Sequence, residues 1–106
     1  MEAGMKEIRV LVVCATALAT STMAAMKLEE EFQKRGIPIK TDKGRIMDMV
    51  ALIEMTKPDI VVATAVYNMD VGVPILNGVP LLSGLGLDEL YQEIFKIVEK
   101  IQKGGA

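Results

Sequence analysis

The sequence has no histidine and a single cysteine, Cys14, among its 106 residues. Without histidine, the chain holds no histidine-based triad, no histidine metal ligand and no histidine relay, so a partner must supply any histidine that the chemistry needs. A single cysteine excludes an internal disulfide and fits a reducing compartment, so we expect a cytoplasmic protein.

A strong charge of one sign and a long hydrophobic run are also missing. The net charge is −2, so nothing indicates a nucleic-acid or anionic-membrane surface. The apolar run around Cys14 is too short to span a membrane. Val13 stands where a lipoprotein signal needs a small residue, and the acidic Glu2 and Glu7 do not fit the basic start of a signal peptide.

The composition fits one domain. About half of the residues are apolar, 51%, and a chain of this length buries roughly two-thirds of its unfolded surface, enough for a core without metal or disulfide. We therefore expect a single domain over residues 1–106, with a core at about 7–103 and frayed ends at 1–6 and 104–106. We expect no metal and no organic cofactor.

Apolar runs alternate with segments of helical periodicity. This alternation predicts an α/β fold with parallel strands and right-handed crossovers. We expect an open four-stranded sheet of order 2-1-3-4 with helices on both faces, an arrangement similar to flavodoxin and low-molecular-weight phosphatases. Proline marks the fourth strand as an edge strand. The predicted strands cover residues 8–13, 37–41, 60–63 and 73–76, and the predicted helices cover 21–35, 45–56 and 87–103.

In such sheets, ligands bind at the carboxyl ends of the strands, where the strand order reverses. In the predicted order this point lies between strands one and three. Cys14 follows the first strand and Thr64 follows the third. We therefore expect these two residues to flank the crevice, with Cys14 open to solvent.

The segment after Cys14 has the composition of an anion-binding loop. Its small residues let the backbone close around an anion, and its hydroxyls and the free N–H groups of the next helix can donate hydrogen bonds. The positive helix end favours a thiolate and an anion attached to it. We expect Cys14 to be a nucleophile that carries phosphate; the alternative is an inert, buried cysteine. The predicted phosphate loop is Ala15, Thr16, Ala17, Leu18, Ala19, Thr20, Ser21 and Thr22, with Thr20 or Ser21 capping the helix.

The same layout resembles low-molecular-weight tyrosine phosphatases, which place an arginine and a hydroxyl residue after five intervening residues. Thr20 and Ser21 occupy those positions here, and the sequence has no Asp-Pro pair to serve as general acid. The site can accept a phosphoryl group but lacks the groups that would pass it to water. This pattern favours a carrier, while a thiol-dependent hydrolase and a flavin- or nucleotide-binding module remain alternatives.

Two stretches, residues 13–25 and 75–86, resemble the IIB components of the bacterial phosphotransferase system (PTS), among the lactose, cellobiose and galactitol types closest to the galactitol type. The resemblance implies that a IIA protein transfers a phosphoryl group from phosphohistidine to Cys14, which passes it to a sugar or polyol bound by a membrane IIC component. It also implies a phosphotransferase with protein partners, and we expect a monomer in isolation.

The chain departs from the galactitol pattern at two places. Ala15-Thr16 stands where glycines are common, and the segment after the third strand is neutral. Further crevice or partner contacts are predicted for Met23, Thr64, Tyr67, Asn68, Met69 and Ser83. For Thr64, Tyr67 and Asn68 an ordinary surface loop is the alternative, and for Ser83 a glycine-bearing turn.

Overall fold

The computed structural model describes residues 6–14, 18–64 and 72–104, with only the backbone described for 18–21 and 104. A single 3-10 turn, Ile46–Asp48, leads into the second helix. The strands are β1 (Ile8–Cys14), β2 (Ile39–Arg45), β3 (Ile60–Ala63) and β4 (Ile75–Asn77), and the helices are α1 (Leu18–Lys34), α2 (Met49–Thr56), α3 (Val79–Ser83) and α4 (Leu87–Gly104).

The four strands form one parallel sheet in the order β2-β1-β3-β4, which confirms the predicted topology. β1 lies between β2 and β3, and β4 lies at the edge as its proline indicated. Every residue of β1 except Arg9 is buried. Its continuous aliphatic sequence follows from this position, because a central parallel strand is covered on both faces.

Alternate residues of β1 face two different layers of helices. Ile8, Val10 and Val12 belong to a large apolar cluster with α1, α3 and α4. Leu11 and Val13 belong to a smaller cluster with Met49 of α2. Because side chains alternate along a strand, Cys14 belongs to the face that α1 covers.

Two predicted strands and the predicted second helix have different bounds in the structure. The helix, predicted for 45–56, begins as α2 at Met49, after the 3-10 turn Ile46–Asp48. β2 continues to Arg45 rather than ending at 41, because its pairing with β1 continues through the polar residues Asp42 and Lys43. β4 lies at Ile75–Asn77 rather than at 73–76, and the turn-rich passage from Gly78 contains the short helix α3.

The start of α1 was also predicted wrongly. The helix begins at Leu18, three residues before the predicted start, so Thr20 and Ser21 lie inside its first turn and do not cap it. Leu18 and Ala19 are strong helix formers, which favours the earlier start. The predicted eight-residue phosphate loop is therefore mostly helix.

Gly78 joins β4 to α3 at a point where the backbone approaches β3 closely. Its N–H donates to the carbonyl oxygen of Ala63 at 2.8 Å. A Cβ added there would lie 2.5 Å from Cγ1 of Val62 and 3.3 Å from Cγ2 of Thr64. Val62 is fully buried in the large apolar cluster, so its stiff, branched side chain has little room to move away.

We expect Gly78→Ala to lower the free energy of unfolding by about 1–3 kcal/mol, the usual cost of overpacking a core. Urea denaturation measures this change. The double variant Gly78→Ala/Val62→Ala should lose less free energy of unfolding than the two single variants lose together, because the methyl group that clashes with the new Cβ is removed. Strictly additive costs would contradict the close contact.

Tyr91 is buried on the inner face of α4. Burial, with the negative charges of Glu31 and Glu30 on α1, raises the pKa of Tyr91 above its ordinary value. The folded state therefore holds the phenol proton more tightly than the unfolded chain does. The stability that depends on this proton is complete below the unfolded pKa of about 10 and is lost as pH rises through the folded pKa.

We expect Tyr91→Phe to reduce the loss of stability at alkaline pH, since phenylalanine has no proton to lose. Unfolding curves at neutral pH and above pH 10 compare the two proteins. Tyr67→Phe is the matched control, because Tyr67 is the other tyrosine of the chain. Equal alkaline losses in wild type and Tyr91→Phe would contradict the raised pKa.

Candidate functional site

Cys14 is the last residue of the central strand, and the structure brings it beside the end of β3. Thr64 follows β3 directly and its N–H donates to the carbonyl oxygen of Val13 at 3.0 Å. The hydroxyl of Thr64 lies 3.5 Å from the same oxygen, a long hydrogen bond. Cys14 and Thr64 thus flank the point between β1 and β3 where the strand order reverses, as the sequence predicted.

The thiol is less accessible than the sequence indicated. Cys14 is 3% exposed, whereas we expected a sulfur open to solvent. The difference follows from its position, because Cys14 is still part of β1 and lies on the face that α1 covers. A reaction at this sulfur requires that the carboxyl edge of the sheet give access to it.

The connection from Cys14 to α1 is short. Ala15, Thr16 and Ala17 lie outside the described residues, so their predicted role as an anion loop stays a prediction. Four Cα–Cα steps separate Cys14 from Leu18, which limits the distance between these Cα atoms to about 15 Å. The start of α1 therefore lies within about 15 Å of the Cα of Cys14.

The remaining predicted loop residues lie in α1. Leu18, Ala19, Thr20 and Ser21 form its first turn, and in any α-helix the first four N–H groups have no acceptor within the helix. Thr22 and Met23 follow, and both are exposed, Met23 at 59%. The part of the predicted anion loop that the structure describes is thus the start of a helix, and the positive end of a helix favours negative charge nearby.

Arg45 is a residue of this edge that the sequence analysis missed. In the register of β1 and β2, Arg45 is the partner of Cys14. Its Nε and Nη2 each lie 3.1 Å from Oδ2 of Asp48. The predicted end of the second strand at residue 41 hid this position. The length of β1 could have indicated this position, because a strand that pairs with the whole of β1 from Ile39 onward reaches Arg45.

The other predicted contacts divide into two groups. Tyr67, Asn68 and Met69 lie outside the described residues, and their role stays a prediction. Ser83 ends α3, and its Oγ accepts a hydrogen bond from the N–H of Leu85 at 3.2 Å. Gly84 and Gly86, with φ of 82° and 75°, supply left-handed backbone that favours glycine. The predicted glycine-bearing turn is confirmed, and a phosphate contact of Ser83 stays a prediction.

Residues 6–14, 18–64 and 72–104 contain no group of three carboxylate or thiol side chains placed to hold a metal ion. In the same ranges, no helix combines the length and the hydrophobicity that crossing a membrane requires.

Comparison with known proteins assigns this chain to a family. Residues 9–93 match the family described as "PTS system, Lactose/Cellobiose specific IIB subunit". The chain belongs to the PTS IIB family. Its members are phosphotransferases that act in sugar uptake, and membership implies IIA and IIC components as partners. The resemblance drawn from residues 13–25 and 75–86 is thereby confirmed.

Relatives from enteric bacteria agree with this assignment. The Escherichia coli K12 protein SgcB, assigned by name to the phosphotransferase enzyme IIB components, is 36% identical over 86 residues, covering 81% of this chain and 91% of SgcB. The galactitol-specific EIIB component of the PTS in the same strain is 29% identical over 92 residues, covering 86% of this chain and 96% of that protein. The Shigella flexneri galactitol-specific component is similar to the same extent, 29% over 92 residues.

Proposed function

We propose that Cys14 is the phosphoacceptor of this IIB component. It takes a phosphoryl group from a phosphohistidine of a IIA protein and passes it to a sugar or polyol held by a membrane IIC component. The observation that supports this most directly is the position of Cys14 at the carboxyl end of the central strand, four residues before the start of α1. The chain has no histidine, so the donor histidine belongs to the partner.

In the first step, the thiolate of Cys14 attacks the phosphorus of the partner's phosphohistidine. The S–P bond forms as the N–P bond breaks, and the electron pair of that bond returns to the imidazole nitrogen. The negative charge of the sulfur moves to the leaving ring, which takes up a proton. N–H groups at the start of α1 stabilise the phosphoryl oxygens while charge is redistributed.

In the second step, a hydroxyl oxygen of the sugar attacks the same phosphorus. The O–P bond forms, the S–P bond breaks, and Cys14 leaves as the thiolate with which the cycle began. The hydroxyl proton goes to a base of the sugar-binding partner. A thiolate is a good leaving group, so this chain needs to hold and orient the phosphoryl group rather than activate the hydroxyl.

We assign a galactitol-like polyol as the acceptor. Two relatives of which this chain covers 96% carry galactitol in their names, while the family description refers to lactose and cellobiose. The first of these observations is the more specific, because it concerns individual full-length proteins. We place the transfer in the cytoplasm, in keeping with the single cysteine, and expect the isolated chain to be a monomer.

Incubation with phosphoenolpyruvate, the general PTS proteins and a galactitol-type IIA protein should add the mass of one phosphoryl group to the intact chain. Cys14→Ser and Cys14→Ala should not gain it, because neither provides the thiolate. Replacing the buried thiol by a hydroxyl costs about 1–3 kcal/mol, so circular dichroism checks that both variants are folded. Ala51→Ser, which adds an exposed serine on α2, is the control and should be phosphorylated like wild type. Normal phosphorylation of Cys14→Ala would contradict the assignment.

We also expect no steady hydrolysis of p-nitrophenyl phosphate by the purified chain. The positions that hold arginine and a hydroxyl residue in the low-molecular-weight phosphatases are Thr20 and Ser21 here, and both lie in α1. Without that guanidinium, the transfer of the phosphoryl group to water lacks its main electrostatic support. Multiple turnovers that disappear in Cys14→Ala would instead identify a phosphatase.

A further inference from the structure

We propose that the guanidinium of Arg45 is a positioning group for the phosphoryl group on Cys14, supplying from β2 the positive charge that the segment after Cys14 lacks. This inference rests on the proposed function, since it concerns the charge around phosphorylated Cys14. It assigns a role to a residue outside the predicted loop.

The register places Arg45 level with Cys14 on the neighbouring strand. Parallel neighbours lie about 4.8 Å apart. The two side chains also share a face of the sheet. Thr41 of β2 donates its hydroxyl to Oε2 of Glu29 on α1, and Arg45 has the same parity along β2 as Thr41. Cys14 has the parity of Val12, which packs in the cluster that contains α1.

Among the described residues, the β3 side of Cys14 is neutral at this level. Thr64 follows β3 at this level, and Cys14 itself carries no positive neighbour along β1, whose preceding residues are Val12 and Val13. A phosphoryl group on sulfur carries close to two negative charges at neutral pH. Opposite charge on the adjacent strand stabilises such a group and favours its transfer from a donor.

Asp48 holds Arg45 at this edge without occupying all its donors. Nε and Nη2 both point to one carboxylate oxygen, Oδ2 of Asp48, and a guanidinium has five N–H donors. The side chains of the pair are 53% and 48% exposed. An ion pair this exposed contributes little to stability, so Arg45 can turn toward a phosphoryl group at small cost.

The charge at Cys14 can be measured without any partner protein, because Cys14 is the only thiol in the chain. Iodoacetate is an anion and iodoacetamide is neutral, and both alkylate the same sulfur. The ratio of their rate constants, divided by the ratio for N-acetylcysteine, reports the electrostatic attraction of an anion to Cys14. Intact mass confirms that each product carries one label.

We expect Arg45→Gln to lower this normalised ratio about fivefold at low salt, the effect of one charge at about 4 Å in water. Arg45→Lys should retain most of the ratio, and Asp48→Asn should raise it by removing the competing carboxylate. Lys40→Gln is the control, since Lys40 is an exposed cation at the start of the same strand. Added salt should reduce the difference between wild type and Arg45→Gln.

An unchanged ratio in Arg45→Gln would overturn the role of Arg45. An equal loss in Lys40→Gln would also overturn it, because the ratio would then depend on the net charge of the chain and not on the position of Arg45. In either case Cys14 would still be reactive and the proposed function would stand. A third result would contradict both proposals. If Cys14 reacted with neither reagent in the folded wild type but with both in the urea-unfolded chain, Cys14 would not be an accessible nucleophile in the native protein.

Discussion

The burial of β1 on both faces is the constraint on which the rest of the structure depends. Val10 and Val12 pack under α1 and α4, while Leu11 and Val13 pack on α2. A strand held in this way fixes the position of the residue that ends it, so Cys14 has little freedom at the carboxyl edge of the sheet. The chemistry we assign to this chain requires such a fixed sulfur, because phosphoryl transfer between proteins depends on positioning.

The order of the strands, the central place of β1 and the edge place of β4 could be predicted from the sequence. These features depend on long apolar runs such as Ile60–Ala63, whose pattern has few competing interpretations. The end of β2 could not be predicted, because Asp42, Lys43 and Gly44 are poor strand formers that are held in the sheet by pairing with β1. The pairing of Arg45 with Cys14 therefore could not be predicted either.

The start of α1 and the exposure of Cys14 were wrong for a related reason. Thr20 and Ser21 are good capping residues by type, yet Leu18 and Ala19 before them carry the helix back toward the strand. The helix therefore begins closer to Cys14 along the chain, and Cys14 itself is buried at the end of β1, which sequence composition does not reveal. The anion site we propose is consequently built from a helix start and a neighbouring strand, with a smaller share for an open loop.

The central claim is that the sulfur of Cys14 carries the phosphoryl group, and phosphorus NMR of the chain labelled with carbon-13 at the cysteine Cβ tests it most directly. After phosphorylation by phosphoenolpyruvate, the general PTS proteins and IIA, the account predicts one phosphorus signal coupled through sulfur to that Cβ. A signal with the shift of a serine or threonine phosphate ester and no coupling to the labelled carbon would contradict it.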